Sequence, residues 1–95
     1  MKKLNARIWC ADQTSLSVQA GQYLYSQPRD DAGPYTHVEV GFVENGRGEA
    51  VIPPESWLQY ADTGELRSDV YGYVPIELVV EFVGLHGGIT SGALP

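Results

Sequence analysis

The chain has 95 residues, 43% of them hydrophobic and 19% charged, with six basic and twelve acidic side chains for a net charge of −6. That length holds one core but not two, the apolar content argues against disorder, and the acidic balance sets the chain against direct binding of nucleic acid, itself a polyanion. The imbalance is uneven: Lys2, Lys3 and Arg7 open the chain, and from residue 8 onward three arginines face twelve carboxylates, so a basic partner surface is the expectation.

The opening "MKKLNARIWCADQ" is basic, but Asn5, Arg7 and Asp12 interrupt every apolar run, so it lacks the hydrophobic segment of a signal peptide. Nothing in the chain approaches the roughly 20 apolar residues that span a bilayer. Cys10 is the only cysteine, which excludes an internal disulfide and a zinc site built on cysteines and fits a reducing cytoplasm. The expectation is a single domain over 1–95, soluble and cytoplasmic, with 1–13 as a loosely attached N-terminal segment and no contact with a membrane.

"SLSVQAG" alternates Leu16, Val18 and Ala20 with Ser15, Ser17 and Gln19, the period of a strand with one buried face. "QYLYS" continues in the same style, as a hairpin partner or as one long bent strand. "PRDDAGP" is loop: proline and glycine fix or free the backbone, and Asp30 and Asp31 favour turns. A strand then runs from Tyr35 to Val43, with Val38, Val40 and Phe42 expected inward and Tyr35, His37 and Glu39 outward.

Asn45-Gly46 between apolar runs is a strong hairpin signal. "ESWLQYA" follows Pro53-Pro54 as a short helix at about 54–61, because proline at a first helical position loses no hydrogen bond. "VYGYV" reads as a strand with Tyr71 and Tyr73 on one face. In "PIELVVEFVGLHGG" the residues Ile76, Val79, Val80 and Val83 keep helical spacing, widened by Leu78, Phe82 and Leu85. Glu77 and Glu81 are like charges one turn apart, so packing must hold this helix, and His86-Gly87 ends it. "ITSGALP" is an edge strand or a loose tail. The sum is an α+β domain: an antiparallel sheet of four to five strands packed against a C-terminal helix at about 75–86.

Three chemistries compete for the polar side of this sheet. In a strand His37 and Glu39 lie about 6.6 Å apart on one face, given a rise of roughly 3.3 Å per residue, close enough for an acid–base pair or part of a metal site. A metal site needs three or four ligands, and only His86 and unplaced carboxylates are left to complete it. No nucleophile elbow, phosphate loop or zinc-helix motif occurs, and Cys10 beside Trp9 reads as a small buried apolar residue. The expectation is therefore no catalytic set, no metal and no cofactor.

The third chemistry is recognition. Tyr23 with Tyr25, Tyr35 with His37, and Tyr71 with Tyr73 sit two apart opposite the expected core, and tyrosine is favoured at interface hot spots. Asp30, Asp31, Tyr35, His37, Glu39, Glu44, Tyr71 and Tyr73 form the expected partner-binding set. The competing possibility is that a helix covers this face and makes the tyrosines core residues. Magnitude argues against whole-body imitation of DNA, since a domain about 32 Å across faces about 19 phosphates of duplex over that length, far more than six net charges, although a local acidic patch can still occupy a basic nucleic-acid channel.

The run "SVQAG", "SQPRDDAGPYTHVEVGF", "VYGYVPIELVVEFV", "HGGITSG", about two-thirds of the chain, resembles small proteins of bacterial phages and mobile elements. In size and acidity it is similar to anti-CRISPR proteins. That resemblance implies an inhibitor that binds a host protein or nucleoprotein complex, a Cas component, in the bacterial cytoplasm and blocks DNA recognition or cleavage. It assigns no individual residue a role. The alternatives are a small enzyme or metal-binding domain using His37 and Glu39, and a structural assembly subunit.

Overall fold

The computed structural model describes residues 4–95. It is an α+β fold with a five-stranded, wholly antiparallel sheet in the order β4-β3-β2-β1-β5. The strands are β1 (Ile8–Cys10), β2 (Ser15–Gln19), β3 (His37–Glu44), β4 (Val70–Pro75) and β5 (Ile89–Ser91). A 3₁₀ helix, Glu55–Tyr60, precedes β4, and helix α1, Ile76–Leu85, follows it directly. Among the described residues no helix is long and apolar enough to cross a membrane.

One sheet face is the core. Ile8, Leu16, Val18, Val38, Val40 and Val74 are fully buried there against Val79, Phe82 and Val83 of α1 and Trp57 of the 3₁₀ helix. The indole of Trp57 meets Tyr71 edge-on at 5.5 Å and Phe82 at 5.5 Å, so one side chain joins the 3₁₀ helix, β4 and α1. The helix stripe is narrower than its spacing implies. Val80 and Leu85 are exposed, because each lies about 100° or more around the helix from the line through Val79, Phe82 and Val83.

The ends of α1 are closed by backbone. The N–H of Ile76 donates to the Thr36 carbonyl, while Gly88 N–H donates to Val83 O and Gly87 N–H to Gly84 O, with Gly87 at φ +92°. That is a Schellman motif, and it requires the left-handed conformation that glycine adopts without strain. Ala11 N–H donates to Gly88 O and Asp12 N–H to His86 O, docking the β1–β2 turn on the helix end.

The N-terminal segment is thus not an appendage. Residues 1–3 lie outside the described residues, but Ile8–Cys10 is a strand between β2 and β5, with Ile8 fully buried. "QYLYS" is not a strand either: Leu24 N–H turns back to Gly21 O, and the buried Ser26 hydroxyl bridges Gly21 N–H and Gly21 O. The Asn45 turn forms, five residues long, with Asn45 Oδ1 accepting from Arg47 and Glu49 N–H. Only the bridge Glu44↔Ala50 continues it as antiparallel pairing.

The alternation in β3 holds for Val38 and Val40 and then inverts. Between Ser15↔Glu44 and Ser17↔Gly41, three steps of β3 match two of β2, so one extra residue is inserted. Phe42 carries it at φ +51°, is half exposed, and hands the inward place to Val43. The same happens in β4, where Val38↔Val74 and Val40↔Tyr71 enclose an extra residue and Tyr73 stands at φ +55°. Both are β-bulges, which re-aim side chains.

Candidate functional site

α1 and the 3₁₀ helix cover the Val38 and Val40 face, so the His37 and Glu39 face is the solvent side. It is not the tyrosine face that strict alternation implies. Tyr35 is buried: it precedes the strand, so strand parity does not govern it, and its hydroxyl donates to Asp30 O at 2.9 Å. Tyr71 is 1% exposed and on the core side, because the bulge separates its parity from that of Tyr73. Its hydroxyl donates to Leu66 O at 2.7 Å and accepts from Ser68 N–H at 3.1 Å. Burial pushes the Tyr71 phenol up, so it stays protonated and anchors the loop 62–69.

The expected acidic rim is largely engaged within the chain. Asp30 Oδ1 accepts from Ala32 and Gly33 N–H, and Asp31 Oδ1 accepts from Gln22 N–H. Glu39 Oε2 accepts from Tyr25 N–H. Glu44 Oε1 lies 3.5 Å from the Arg7 guanidinium, which also bonds Ser15 and caps the Phe42 carbonyl released by the bulge. His37 Nδ1 is 2.8 Å from Thr36 Oγ1, and no hydrogen bond joins His37 to Glu39. The two residues read as an acid–base pair are each held by another neighbour. Among the described residues no group of three or more His, Cys, Asp or Glu is placed to hold a metal.

The carboxylates divide sharply along the chain. Six of the twelve, Asp12, Asp30, Asp31, Glu39, Glu44 and Glu49, accept internal hydrogen bonds. The other six, Glu55, Asp62, Glu65, Asp69, Glu77 and Glu81, are exposed and have no side-chain hydrogen bond or ion pair among the described residues. They fall between residues 55 and 81, where Arg67 is the sole basic residue. Sequence reasoning missed this surface because it followed the tyrosines rather than asking which carboxylates the turns would use.

Within it lies an open groove of about 290 Å³, lined by Tyr25, Gln59, Tyr60, Ala61, Asp62, Gly72 and Tyr73. Tyr25 and Tyr73 face each other at 5.7 Å with rings tilted by 37°. Gly72 makes this possible: a Cβ there would stand 3.1 Å from Tyr25 Cβ and 3.3 Å from its ring.

At the opposite end, Asp12 Oδ2 lies 2.6 Å from His86 Nδ1, and Asp12 Oδ1 accepts from Thr14 N–H. The Thr14 amide, with help from His86, lowers the Asp12 carboxyl to about 2 from an ordinary 3.8. Between those values the folded chain keeps the charge while the unfolded chain binds a proton. The contribution is complete above the unfolded value and drains as pH falls from about 4 to about 2. Thermal melts across that window should show Asp12→Asn losing the part of the acid sensitivity that the parent has; identical slopes would refute it. Nearby, burial and then the Asp12 charge push the Cys10 thiol up, which disfavours a nucleophilic thiolate.

Comparison with protein-family models, with curated proteins and with solved structures finds no match.

Proposed function

We propose that the chain is a non-enzymatic protein-binding inhibitor that caps a basic, nucleic-acid-binding surface of a partner. In the form that the anti-CRISPR resemblance implies, the partner is a Cas complex in the host bacterial cytoplasm and the outcome is a block of target DNA recognition. The observation that supports this reading is the set of six exposed carboxylates between Glu55 and Glu81 that have no hydrogen-bond or ion-pair partner among the described residues. Exposed carboxylates without internal partners have both oxygens open to a basic surface, and their charge steers its approach and sets its register. The dimensions, 32 × 29 × 21 Å, suit insertion of one face into a basic channel rather than replacement of a duplex.

The test is target-DNA binding by purified Cas effector complexes, measured by gel shift with the chain added first. At least one complex should lose its DNA, and capture of the chain by that complex, measured without DNA, should weaken as salt rises toward 0.5 M, where the Debye length falls to roughly 4 Å. If every complex retains DNA under micromolar excess of the chain, the Cas reading is wrong.

A further inference from the structure

We propose that the groove between Tyr25, Tyr60, Asp62 and Tyr73 receives an arginine side chain of the partner protein; this rests on the reading of a basic partner. The groove supplies three aromatic residues, one carboxylate and three phenol hydroxyls, and among the described residues none of these polar groups has a hydrogen-bond partner. Its volume, about 290 Å³, lies at the floor of the range for small-molecule sites, roughly 300–1,000 Å³, so it accommodates a side chain rather than a cofactor.

The charge chooses the occupant. Asp62 lines the groove, and Glu55, Glu65 and Asp69 belong to the same unpaired set, so a phosphate-bearing ligand is repelled and a cation attracted. Among cations the guanidinium fits best. It is planar and weakly hydrated, stacks on aromatic faces and offers a fork of donors to a carboxylate, whereas the lysine ammonium is a strongly hydrated point charge.

The walls are fixed before anything binds. Tyr25 is held at both ends of its own residue: its N–H donates to Glu39 Oε2 at 3.2 Å, and its carbonyl accepts from Tyr73 N–H at 2.9 Å. Asp62 N–H donates to Val70 O, and Ala61 bridges to Tyr71, so the far wall is an extension of the sheet. The bulge holds Tyr73 in a conformation that side chains other than glycine and asparagine seldom adopt, and so turns its ring toward Tyr25. Glu39 is here a positioning residue, not a contact.

The test is a titration of the ¹⁵N-labelled full chain with N-acetyl-arginine amide, its uncharged citrulline isostere and the lysine analogue, followed by amide chemical shifts. Arginine should shift Asp62, Gly72 and Tyr73 saturably at roughly millimolar concentration, with citrulline at least tenfold weaker. Asp62→Asn should weaken arginine by roughly five- to thirtyfold. Tyr73→Asn, which keeps a residue suited to positive φ while removing the ring, should do the same. Equal shifts from arginine and citrulline, shifts spread evenly over Glu77 and Glu81, or an Asp62→Asn variant that binds as the parent does would each overturn the assignment. The two readings fail separately. A silent groove in a chain that still strips DNA from a Cas complex defeats only the arginine site; a saturable arginine site in a chain that strips none defeats only the Cas partner.

Discussion

Replacing Trp57 with alanine should cost about 3–5 kcal/mol, the usual range for emptying a buried aromatic site. Small domains hold only about 5–15 kcal/mol in total, so the variant should sit near the edge of folding at 25 °C. The size of the effect follows from geometry. Trp57 is 1% exposed and touches Tyr71 on β4 and Phe82 on α1, with the 3₁₀ helix behind it. Urea denaturation should show a midpoint lowered by at least about a fifth, with Trp57→Phe falling between variant and parent. A midpoint moved by less than a fifth would mean that the three elements hold together without the indole.

The second large effect is on association. Reversing Asp62, Glu65 and Asp69 to lysine should slow capture by the basic partner by roughly ten- to a thousandfold, the range that electrostatic steering spans, and should flatten its dependence on salt. Stability should change little, because none of the three side chains is hydrogen-bonded among the described residues. Reversing Asp12, Asp30 and Asp31 should do the opposite: each accepts a backbone N–H, so their loss leaves donors unpaired and lowers the melting temperature more than it slows binding. Stopped-flow association at two salt concentrations, beside thermal melts of both triple variants, separates the cases. Equal slowing by both would dissolve the division between engaged and free carboxylates.

Much of the fold was legible because periodicity reports burial. Leu16, Val18 and Ala20 are inward as their alternation implies, and the helix expected at about 75–86 runs Ile76–Leu85. The short helix at about 54–61 is the 3₁₀ turn Glu55–Tyr60, started by Pro54. The facing of side chains within β3 and β4 failed at two points where the backbone leaves the regular pleat. Phe42 and Tyr73 take positive φ, yet neither residue type advertises it, and the one cue in "VGFV" and "YGYV" is the glycine before each, Gly41 and Gly72, since a glycine inside a strand often marks a bulge. Each inserted residue flips the parity beyond it, which sends Val43 inward, Phe42 outward, and Tyr71 and Tyr73 to different sides. The groove was out of reach for another reason: Tyr25, Tyr60 and Tyr73 come from three separate segments, and only the loop 21–36 folding back over Gly72 assembles them.

Because the first strand and the last lie side by side, with Trp9 opposite Ser91 and a Cβ added at Gly92 falling 2.8 Å from the Arg7 carbonyl, the stretches around Arg7 and Gly92 leave the sheet as neighbours. A short flexible linker can therefore join the stretch after Gly92 to the stretch before Arg7, and fresh termini can be opened at the Asn45–Glu49 turn without cutting a strand, the helix or the groove. Such a permuted form would carry its new ends outside residues 55–81 and give a place to attach a probe that leaves those six carboxylates unaltered.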